Sequence, residues 1–359
     1  MFQKCIFVQS KYKITKVPTD ELYMQRCFEL AQLGEGFVAP NPLVGSILVY
    51  KDRIIGEGYH QKFGTAHAEV NCINSVHEVD KKFIKESTLY VSLEPCSHFG
   101  KTPPCADLII QQQIKKVIIS VLDPNPLVAG NGIKKLENAG INVEFGLLQE
   151  DGQSMIEKFI WFHQQQMPFV TLKYAQSADG FIGQNNKTIA ISNKMSQRLV
   201  HQLRATHQAI LIGNNTLKTD NPLLNVRYAK GNNPIKIILC RDGNVDMNLN
   251  IFQDISSQII IINELKETKM DNFHWLKVED IYNVESILKK LYAYNIQSIL
   301  VEGGAKILKS FIAQNQWNEI IQIKAKKRLV SGIEAPAINF KPYLSFDLAE
   351  DKVYRYRNL

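Results

Sequence analysis

One short loop, PCSHFGKTPPC (95–105), holds two cysteines, a histidine and a lysine, and the segment His67-Ala68-Glu69 precedes it in the chain. Imidazole and thiolate groups are common protein ligands of zinc, and three of them leave one position of a tetrahedral ion open for water. Zinc lowers the pKa of such a water to about 7. A neighbouring carboxylate can accept the proton of this water. These residue types therefore favour a metal-assisted hydrolysis.

The order of the residues narrows the chemistry further. An H-x-E motif alone is a weak signal, because eight histidines and 35 acidic residues produce such a match by chance. H-x-E at a helix start, followed by a strand and then by Pro-Cys with a second cysteine nearby, is the pattern of zinc deaminases. We therefore predict that Zn²⁺ is bound by His67, Cys96 and Cys105. Glu69 is predicted to move a proton from water to a departing amine.

Two other interpretations of this group stay open. In the first, Cys96 and Cys105 are ordinary buried thiols and His67 is a surface residue. In the second, His98 supplies a fourth ligand and makes the zinc site structural. The other cysteines lack ligand spacing and are predicted to pack in cores: Cys5, Cys27, Cys72 and Cys240.

The first half of the chain, 18–147, alternates helical and strand patterns that would position these residues. Apolar residues at positions 24, 27, 28 and 31 have the spacing of an amphipathic helix, and apolar runs at 44–50 and 54–60 predict a hairpin. Further predicted elements are helices at 66–76, after Pro104 and at 131–140, and strands at 88–94, 115–123 and 141–146. Together they predict a three-layer α/β domain.

The stretch 148–167 lacks strand alternation, and we interpret it as a linker. Because no repeat is visible, residues 168–359 are predicted to form a second, different α/β domain. Its predicted elements are strands at 169–175, 209–213, 235–240, 258–263 and 298–304, and helices at 193–203, 283–293 and 305–314. No element is predicted beyond residue 314.

Bulk composition excludes several classes of protein. The 359 residues are 45% apolar and 21% charged, which is ordinary for a globular protein of two domains. No apolar run reaches the roughly 18 residues of a membrane span. The net charge of +7 comes from scattered lysines and indicates a solvated surface rather than a nucleic-acid partner. Six irregularly spaced cysteines favour a cytoplasmic location, and the lysine-bearing N-terminus is interpreted as an extension, with an organelle-targeting peptide as the alternative.

The second half has its own candidate binding features. No G-x-G-x-x-G motif follows a strand, which disfavours an ordinary Rossmann dinucleotide site. Gly213 ends one predicted strand, and Gly303-Gly304 joins a strand to a helix, where backbone N–H groups can approach a pyrophosphate. Glycines in such turns also serve geometry alone, and both interpretations stay open.

Longer motifs carry a family resemblance. Eight residues separate Cys96 from Cys105, whereas deaminases of nucleosides or nucleic acids have C-x-x-C. The chain closely resembles the bifunctional deaminase–reductases of riboflavin biosynthesis over about residues 20–335, notably in NPLVGSILV (41–49), LEPCSHFGKTPPC (93–105), PFVTLKYAQSADG (168–180) and LVEGGAKI (300–307).

The resemblance implies a cytidine-deaminase-like zinc domain followed by a dihydrofolate-reductase-like α/β domain. The first would hydrolytically deaminate 2,5-diamino-6-(5-phosphoribosylamino)pyrimidin-4(3H)-one. The second would use NADPH to reduce the ribosyl side chain of 5-amino-6-(5-phosphoribosylamino)uracil to ribityl. The resemblance also implies a homo-oligomer.

The resemblance assigns further residues by position. Those assigned to the deaminase substrate are Asn41, His60, His98 and Lys101. Those assigned to NADPH are Ala175, Ala190, Thr216, Asp220 and Gly304. Those assigned to the reductase substrate are Thr188, Arg204, Leu224, Arg227 and Glu302. Ala190 departs from the family pattern, in which a larger residue is expected there.

Other functions compete with this assignment. A zinc nucleoside or tRNA deaminase fused to a non-reductase binding domain predicts C-x-x-C and a basic face with stacking aromatics, and neither is evident. A non-catalytic zinc module predicts that Glu69 is dispensable. In the second half, Arg204 and Arg227 suit a phosphate if they converge, and are solvated surface residues if they do not.

Overall fold

A computed structural model of the protein describes residues 19–99, 103–125, 128–185 and 187–358. A five-stranded sheet lies in the first half of the chain and a ten-stranded sheet in the second. The N-terminal extension and Lys101 lie outside the described residues. Among the helices that are described, none combines the length and apolarity needed to cross a bilayer.

The elements of the first half carry the residues of the predicted zinc site. In chain order they are α1 (Thr19–Gln32), β1 (Gly45–Tyr50), β2 (Arg53–Tyr59), α2 (Ala68–Asn74), a 3-10 helix (Glu78–Glu86), β3 (Thr88–Leu93), α3 (Cys105–Gln111), β4 (Lys116–Val121), α4 (Asn131–Asn138) and β5 (Asn142–Phe145). The sheet order is β2-β1-β3-β4-β5, in which β1 is antiparallel to both neighbours and β3, β4 and β5 are parallel.

Helices cover both faces of this sheet, as the three-layer prediction requires. On one face, Met24 and Phe28 of α1 pack with Ile47 and Tyr90. On the other, α2, α3 and α4 pack their apolar residues against the alternate side chains of the same strands, such as Leu48. The central strands are buried on both sides, which explains their continuous apolar runs.

Two glycines of β2 set the distance between this strand and α2. A Cβ atom at Gly58 would lie 2.2 Å from the backbone nitrogen of Cys72, and one at Gly56 would lie 2.6 Å from the backbone oxygen of the same residue. Such separations are far shorter than any van der Waals contact, so only glycine permits this approach. The close packing places the N-terminus of α2 at the edge of the sheet.

The stretch interpreted as a linker is helical. It contains α5 (Gln149–Met155) and α6 (Glu157–Gln165). Ile156 between the helices packs with Leu93 and Val121 at the ends of β3 and β4, and Phe159 packs against this cluster. The segment of the two helices therefore packs at the C-terminal ends of β3 and β4, where the predicted zinc ligands also lie.

The second half contains a larger, mostly parallel sheet. Its elements are β6 (Phe169–Gln176), β7 (Phe181–Gly183), α7 (Lys194–Ala205), β8 (Ala209–Gly213), α8 (Asn214–Asp220), β9 (Ile235–Leu239), α9 (Asn250–Gln253), β10 (Ile259–Asn263), β11 (Thr268–Met270), β12 (Phe273–Lys277), α10 (Val284–Ala293), β13 (Ser298–Val301), α11 (Ala305–Ala313), β14 (Glu319–Lys324), β15 (Ile333–Glu334), β16 (Leu344–Leu348) and β17 (Asp351–Arg357). The order of the ten-stranded sheet is β11-β12-β10-β9-β8-β13-β6-β14-β17-β16, and β7 pairs with β15.

Helices again cover both faces of the second sheet. One core cluster joins α10 and α11, through residues such as Ile287 and Leu308, to Leu172 and Leu211 of the strands. A second cluster joins α7 and α9 to the opposite side chains of the strands, including Ile210. The parallel strands run from β12 to β14, and β17 and β16 extend the sheet as an antiparallel pair.

Candidate active sites

The three predicted metal ligands come together at the C-terminal end of β3, the central strand of the first sheet. His67 directly precedes α2, Cys96 follows β3, and Cys105 is the first residue of α3. The Nδ1 atom of His67 lies 3.5 Å from the Sγ atom of Cys96 and 3.3 Å from that of Cys105. One ligand atom from each of the three residues lies within 4.8 Å of the others.

These separations fit a tetrahedral zinc ion. Zn–S distances of about 2.3 Å and Zn–N distances of about 2.0 Å place sulfur and nitrogen ligands roughly 3.5 Å apart. The two distances from the His67 ring to the thiols match this value. One imidazole and two thiolates also suit zinc chemically, and three ligands leave a fourth position free.

The thiols already differ in acidity without an ion. The pKa of Cys96 is lowered, first by a hydrogen bond that it accepts from the Cys105 thiol and also by the His67 ring. The pKa of Cys105 is raised, first because its S–H group donates this hydrogen bond to Cys96. The backbone N–H of Cys105 donates a further hydrogen bond to the Sγ atom of Cys96, at 3.3 Å. Cys96 is therefore the first of the pair to become a thiolate.

Glu69 lies in the first turn of α2, close to the ligands. Its side chain is 3% exposed, and burial raises its pKa to about 7, with a further contribution from the charge of Cys96. The carboxylate hydrogen-bonds with the thiol of Cys105. A buried carboxylate whose pKa is close to neutrality can both accept and return a proton.

The predicted substrate residues of this site are partly brought together. The Nδ1–H of His60 donates to the backbone oxygen of Ala66 (3.1 Å), so its Nε2 atom accepts from the Asn41 amide (3.0 Å). The His60 and His67 rings meet edge to face at 5.5 Å. His98 lines the same cavity but does not belong to the group of three metal-ligating residues found in the described part of the chain, and Lys101 lies outside that part.

The sequence analysis missed Glu94, which organises the neighbouring loop. Its carboxylate is 4% exposed and accepts backbone N–H groups from Asp123 (3.2 Å), Gly130 (2.9 Å), Gly132 (2.8 Å) and Ile133 (3.4 Å). An acid at the end of a buried strand, one residue before Pro95-Cys96, was the available signal, because such a charge needs partners.

A cavity of about 390 Å³ opens above the three ligands. Its lining includes His67, Glu69 and Cys96, together with Asp123 and Asn125 of the loop held by Glu94. Burial raises the pKa of Asp123 to about 6. A small polar molecule therefore has access to the reactive group.

A second cluster of charges lies at the end of the large sheet. Arg204 of α7 binds Glu302 through two parallel hydrogen bonds, of 2.8 and 2.9 Å, and Lys173 of β6 lies 3.7 Å from the same carboxylate. Burial alone would raise the pKa of Glu302, but the charges of Arg204 and Lys173 outweigh it and hold this pKa at about 2. Lys173 was not predicted, because an isolated lysine in a strand carries no motif.

Arg204 and Arg227 converge around His201, a third residue that the sequence analysis missed. Burial, and after it the charges of both arginines, lower the pKa of His201 to about 4. The backbone N–H of Arg227 donates to the Nδ1 atom of His201 (3.0 Å), and Arg204 donates to the backbone oxygen of Asn225 (3.3 Å). The region thus presents two guanidinium groups beside a neutral imidazole.

Two of the predicted cofactor residues, Gly304 and Thr216, meet at the turn before α11. Gly304, with φ of +73°, precedes this helix, and a Cβ atom there would lie 3.3 Å from the Oγ1 atom of Thr216. The hydroxyl of Thr188 donates to the backbone oxygen of Thr219 (3.0 Å) and hydrogen-bonds with Asp220, whose pKa is raised by burial.

The remaining predicted residues of the second half lie in different settings. Ala175 is half-buried near the end of β6, and Ala190 is exposed, with its backbone oxygen accepting from Lys327 (2.8 Å). Leu224 is 3% exposed with φ of +54°, so its side chain belongs to the core. Any contact of Leu224 with a ligand would have to use its backbone.

Two family sequence models match the chain. The first, described as "Cytidine and deoxycytidylate deaminase zinc-binding region", covers residues 17–121, and the second, "RibD C-terminal domain", covers residues 168–326. Proteins called "Riboflavin biosynthesis protein RibD" are similar throughout. That of Aquifex aeolicus is 37% identical over 320 residues (88% of this chain, 89% of that protein), and that of Bacillus amyloliquefaciens is 38% identical over 329 residues (89% and 87%).

Solved structures agree with the sequence comparison. A diaminohydroxyphosphoribosylaminopyrimidine deaminase/5-amino-6-(5-phosphoribosylamino)uracil reductase of Thermotoga maritima superposes with a TM-score of 0.85 at 35% identity, covering 95% of this chain and 99% of that one. RibD of Acinetobacter baumannii superposes with a TM-score of 0.85 at 30% identity, covering 94% and 98%. The predicted order of folds, a zinc deaminase domain followed by a reductase domain, is confirmed. The chain therefore belongs to the RibD family of riboflavin biosynthesis deaminase–reductases.

Proposed function

We propose that this enzyme removes the 2-amino group of 2,5-diamino-6-(5-phosphoribosylamino)pyrimidin-4(3H)-one by hydrolysis. It then reduces the ribosyl side chain of 5-amino-6-(5-phosphoribosylamino)uracil to ribityl with NADPH. The observation that carries the proposal is the convergence of His67, Cys96 and Cys105 beside the buried Glu69, in a chain whose second half matches the RibD reductase domain.

In the deaminase site, His67, Cys96 and Cys105 would hold Zn²⁺. When bound, the ion supplies a water whose pKa is close to 7 at its open position. Glu69 would take the two protons of the attacking water in turn, passing one to the adjacent ring nitrogen as the C–O bond forms and the other to the amino group as the C–N bond breaks, so that ammonia leaves and a carbonyl forms. The Nε2 atom of His60 fixes the orientation of the Asn41 amide, which would present its oxygen to the pyrimidine ring.

In the reductase site, the residues chiefly position two ligands. We assign Gly304 and Thr216 to the cofactor because they lie close together at the start of α11, where backbone N–H groups can approach a pyrophosphate. Ala175, Ala190 and Asp220 are assigned to the cofactor on the basis of the family resemblance. Arg204, Arg227 and Glu302, with Thr188 and the backbone of Leu224, would bind the phosphorylated substrate. Hydride transfer is the chemistry of the cofactor, and the protein supplies orientation.

The wider organisation follows from the same proposal. We assign residues 18–147 to the deaminase domain, 148–167 to the connecting segment and 168–359 to the reductase domain. The family matches over residues 17–121 and 168–326 support a division into these two domains. A cytoplasmic location fits because Cys96 and Cys105 bind metal only as reduced thiolates. We propose a homo-oligomer on the basis of the family resemblance.

The deaminase half is tested with Glu69→Gln. This substitution removes the proton acceptor and keeps the size of the side chain, so the rate of ammonia release should fall at least about a hundredfold. Zinc content, measured on the same samples, should stay at one ion per chain. Glu86→Gln, at an exposed position, is the matched control. Equal turnover by wild type and Glu69→Gln would disprove this mechanism.

The reductase half is tested by following NADPH oxidation. Oxidation should require the deaminated product and should be absent with the diamino substrate when zinc is removed. A chain that deaminates but never oxidises NADPH would leave the second half without this function. Activity on free nucleosides or tRNA instead would support the competing deaminase function.

A further inference from the structure

The cavity above the three zinc ligands is not enclosed by the first domain alone. Part of its wall comes from Phe159 and His163 of α6, and part from Asn295 and Gln297, which lie between α10 and β13 of the reductase half. None of these four residues belongs to the sequence motifs of either activity. The deaminase site is therefore completed by distant parts of the chain.

The helix that contributes to this wall is fixed in place. Phe159 packs against the cluster of Leu93, Val121 and Ile156 at the end of the first sheet. The His163 ring meets the Phe159 ring edge to face at 4.5 Å and the Phe162 ring at 5.4 Å. Two aromatic contacts thus hold the imidazole at the cavity wall, and its ring nitrogens have no hydrogen-bond partner among the residues that the structure describes.

The contribution of the reductase half is fixed through its backbone. Gln208 bonds to the backbone oxygen of Asn295 (3.0 Å) and accepts from the backbone N–H of Gln297 (2.8 Å). The backbone oxygen of Gln297 accepts from Phe169 (2.8 Å). Within the described ranges, the side-chain amides of Asn295 and Gln297 have no hydrogen-bond partner of their own, although both residues line the cavity.

The proposed substrate is too long to lie wholly at the zinc ligands. The carbon that loses the amine must lie at these ligands. The ribosylamino group is attached on the far side of a ring nitrogen, and its phosphate ends a chain of five sugar carbons. This end of the substrate must therefore reach another part of the same cavity, whose lining includes His163, Asn295 and Gln297. Imidazole N–H and amide N–H groups are suitable donors to phosphate and hydroxyl oxygens.

We propose that His163, Asn295 and Gln297 bind the ribosyl phosphate end of the deaminase substrate, an inference that rests on the proposed function. The connecting helix and the reductase half then determine the substrate preference of the deaminase. The preference in question is for a phosphorylated riboside over the same riboside without phosphate.

Three substitutions and two substrates test this inference. His163→Ala removes the imidazole, Asn295→Gly removes the amide while keeping the left-handed backbone (φ +58°), and Gln297→Met keeps the side-chain length. Each should lower kcat/KM for the phosphorylated substrate about tenfold, mainly through KM, because a bond to a charged group is lost. The kcat/KM for the dephosphorylated riboside should change less than about twofold.

The controls separate this inference from the proposed function. His77→Ala, at an exposed position, should leave the ratio of the two kcat/KM values unchanged. Zinc content and the rate of NADPH oxidation show whether each variant is folded. If wild type deaminates but all three folded variants keep the wild-type ratio, or lose both substrates equally, the inference is wrong. If wild type itself fails to deaminate, the proposed function is wrong instead.

Discussion

Replacing Glu94 by glutamine should detach the loop that forms one side of the deaminase cavity. The Oε1 atom of Glu94 accepts the N–H groups of Gly132 and Ile133, and the Oε2 atom accepts those of Asp123 and Gly130. Glutamine has the same shape but turns one of these oxygens into a donor. Two backbone N–H groups then face another N–H group and lose their acceptor.

The size of the effect follows from these four bonds. Leaving a buried donor unsatisfied costs about 1–3 kcal/mol, so two of them cost about 2–6 kcal/mol. This is a large part of the roughly 5–15 kcal/mol by which a domain is stable. The loop therefore separates from the strand end before the domain unfolds, and Asp123 and Asn125 no longer line the cavity.

The assay combines urea unfolding, followed by circular dichroism, with deaminase kinetics. We expect the first unfolding transition of Glu94→Gln to shift to lower urea concentration and KM for the diaminopyrimidine to rise by more than tenfold. NADPH oxidation by the other half should continue at the wild-type rate. Glu137→Gln, an exposed position of α4, is the control. A Glu94→Gln enzyme with wild-type unfolding and wild-type KM would refute the role assigned to this carboxylate.

Three further outcomes follow from the two sites. Gly58→Ala should abolish zinc binding and deamination, because its Cβ atom would lie 2.2 Å from the backbone nitrogen of Cys72 and push α2 away. NADPH oxidation with the deaminated product should be spared, and metal analysis and both rate assays check this. Removing the metal with a chelator should stop ammonia release and leave NADPH oxidation intact when the deaminated product is supplied, and added Zn²⁺ should restore the first activity. The pKa of Glu302 falls from 4.5 to about 2 on folding, which corresponds to about 3 kcal/mol of stability. This contribution is present above pH 4.5 and is lost as the pH falls toward 2. The free energy of unfolding, measured across this range, should therefore depend less on pH in Glu302→Gln than in wild type.

The elements that carry local patterns were predictable from sequence. The hairpin of β1 and β2, the buried strands β3 and β4, and the helices that follow them were predicted within a few residues of their observed ends. The group of His67, Glu69, Cys96 and Cys105 was predictable because metal ligation restricts both residue type and order. Secondary structure and ligands can therefore be predicted from sequence where periodicity or metal ligation restricts the residue type at a position.

Features that depend on distant contacts were missed. The helices α5 and α6 have no strong helical periodicity of their own and are held by packing against the end of the first sheet. Strands β16 and β17 are mostly exposed or polar, so their alternation gave no signal. His201 and Lys173 act through partners far away in the chain, and no local spacing reveals them. For Glu94 the signal was its place at the end of a buried strand, but its partners also lie far away in the chain.

The tight approach of α2 to β2 has a consequence for how this enzyme can change. Gly56 and Gly58 leave no space for any side chain between β2 and α2, so the position of His67 and Glu69 at the start of α2 is nearly invariant under substitution. The part of the cavity wall formed by α6 and by the turn between α10 and β13, by contrast, is built from side chains. Laboratory evolution toward other amine-bearing heterocycles should therefore accumulate tolerated changes in this part of the wall, and almost none in the β2–α2 contact.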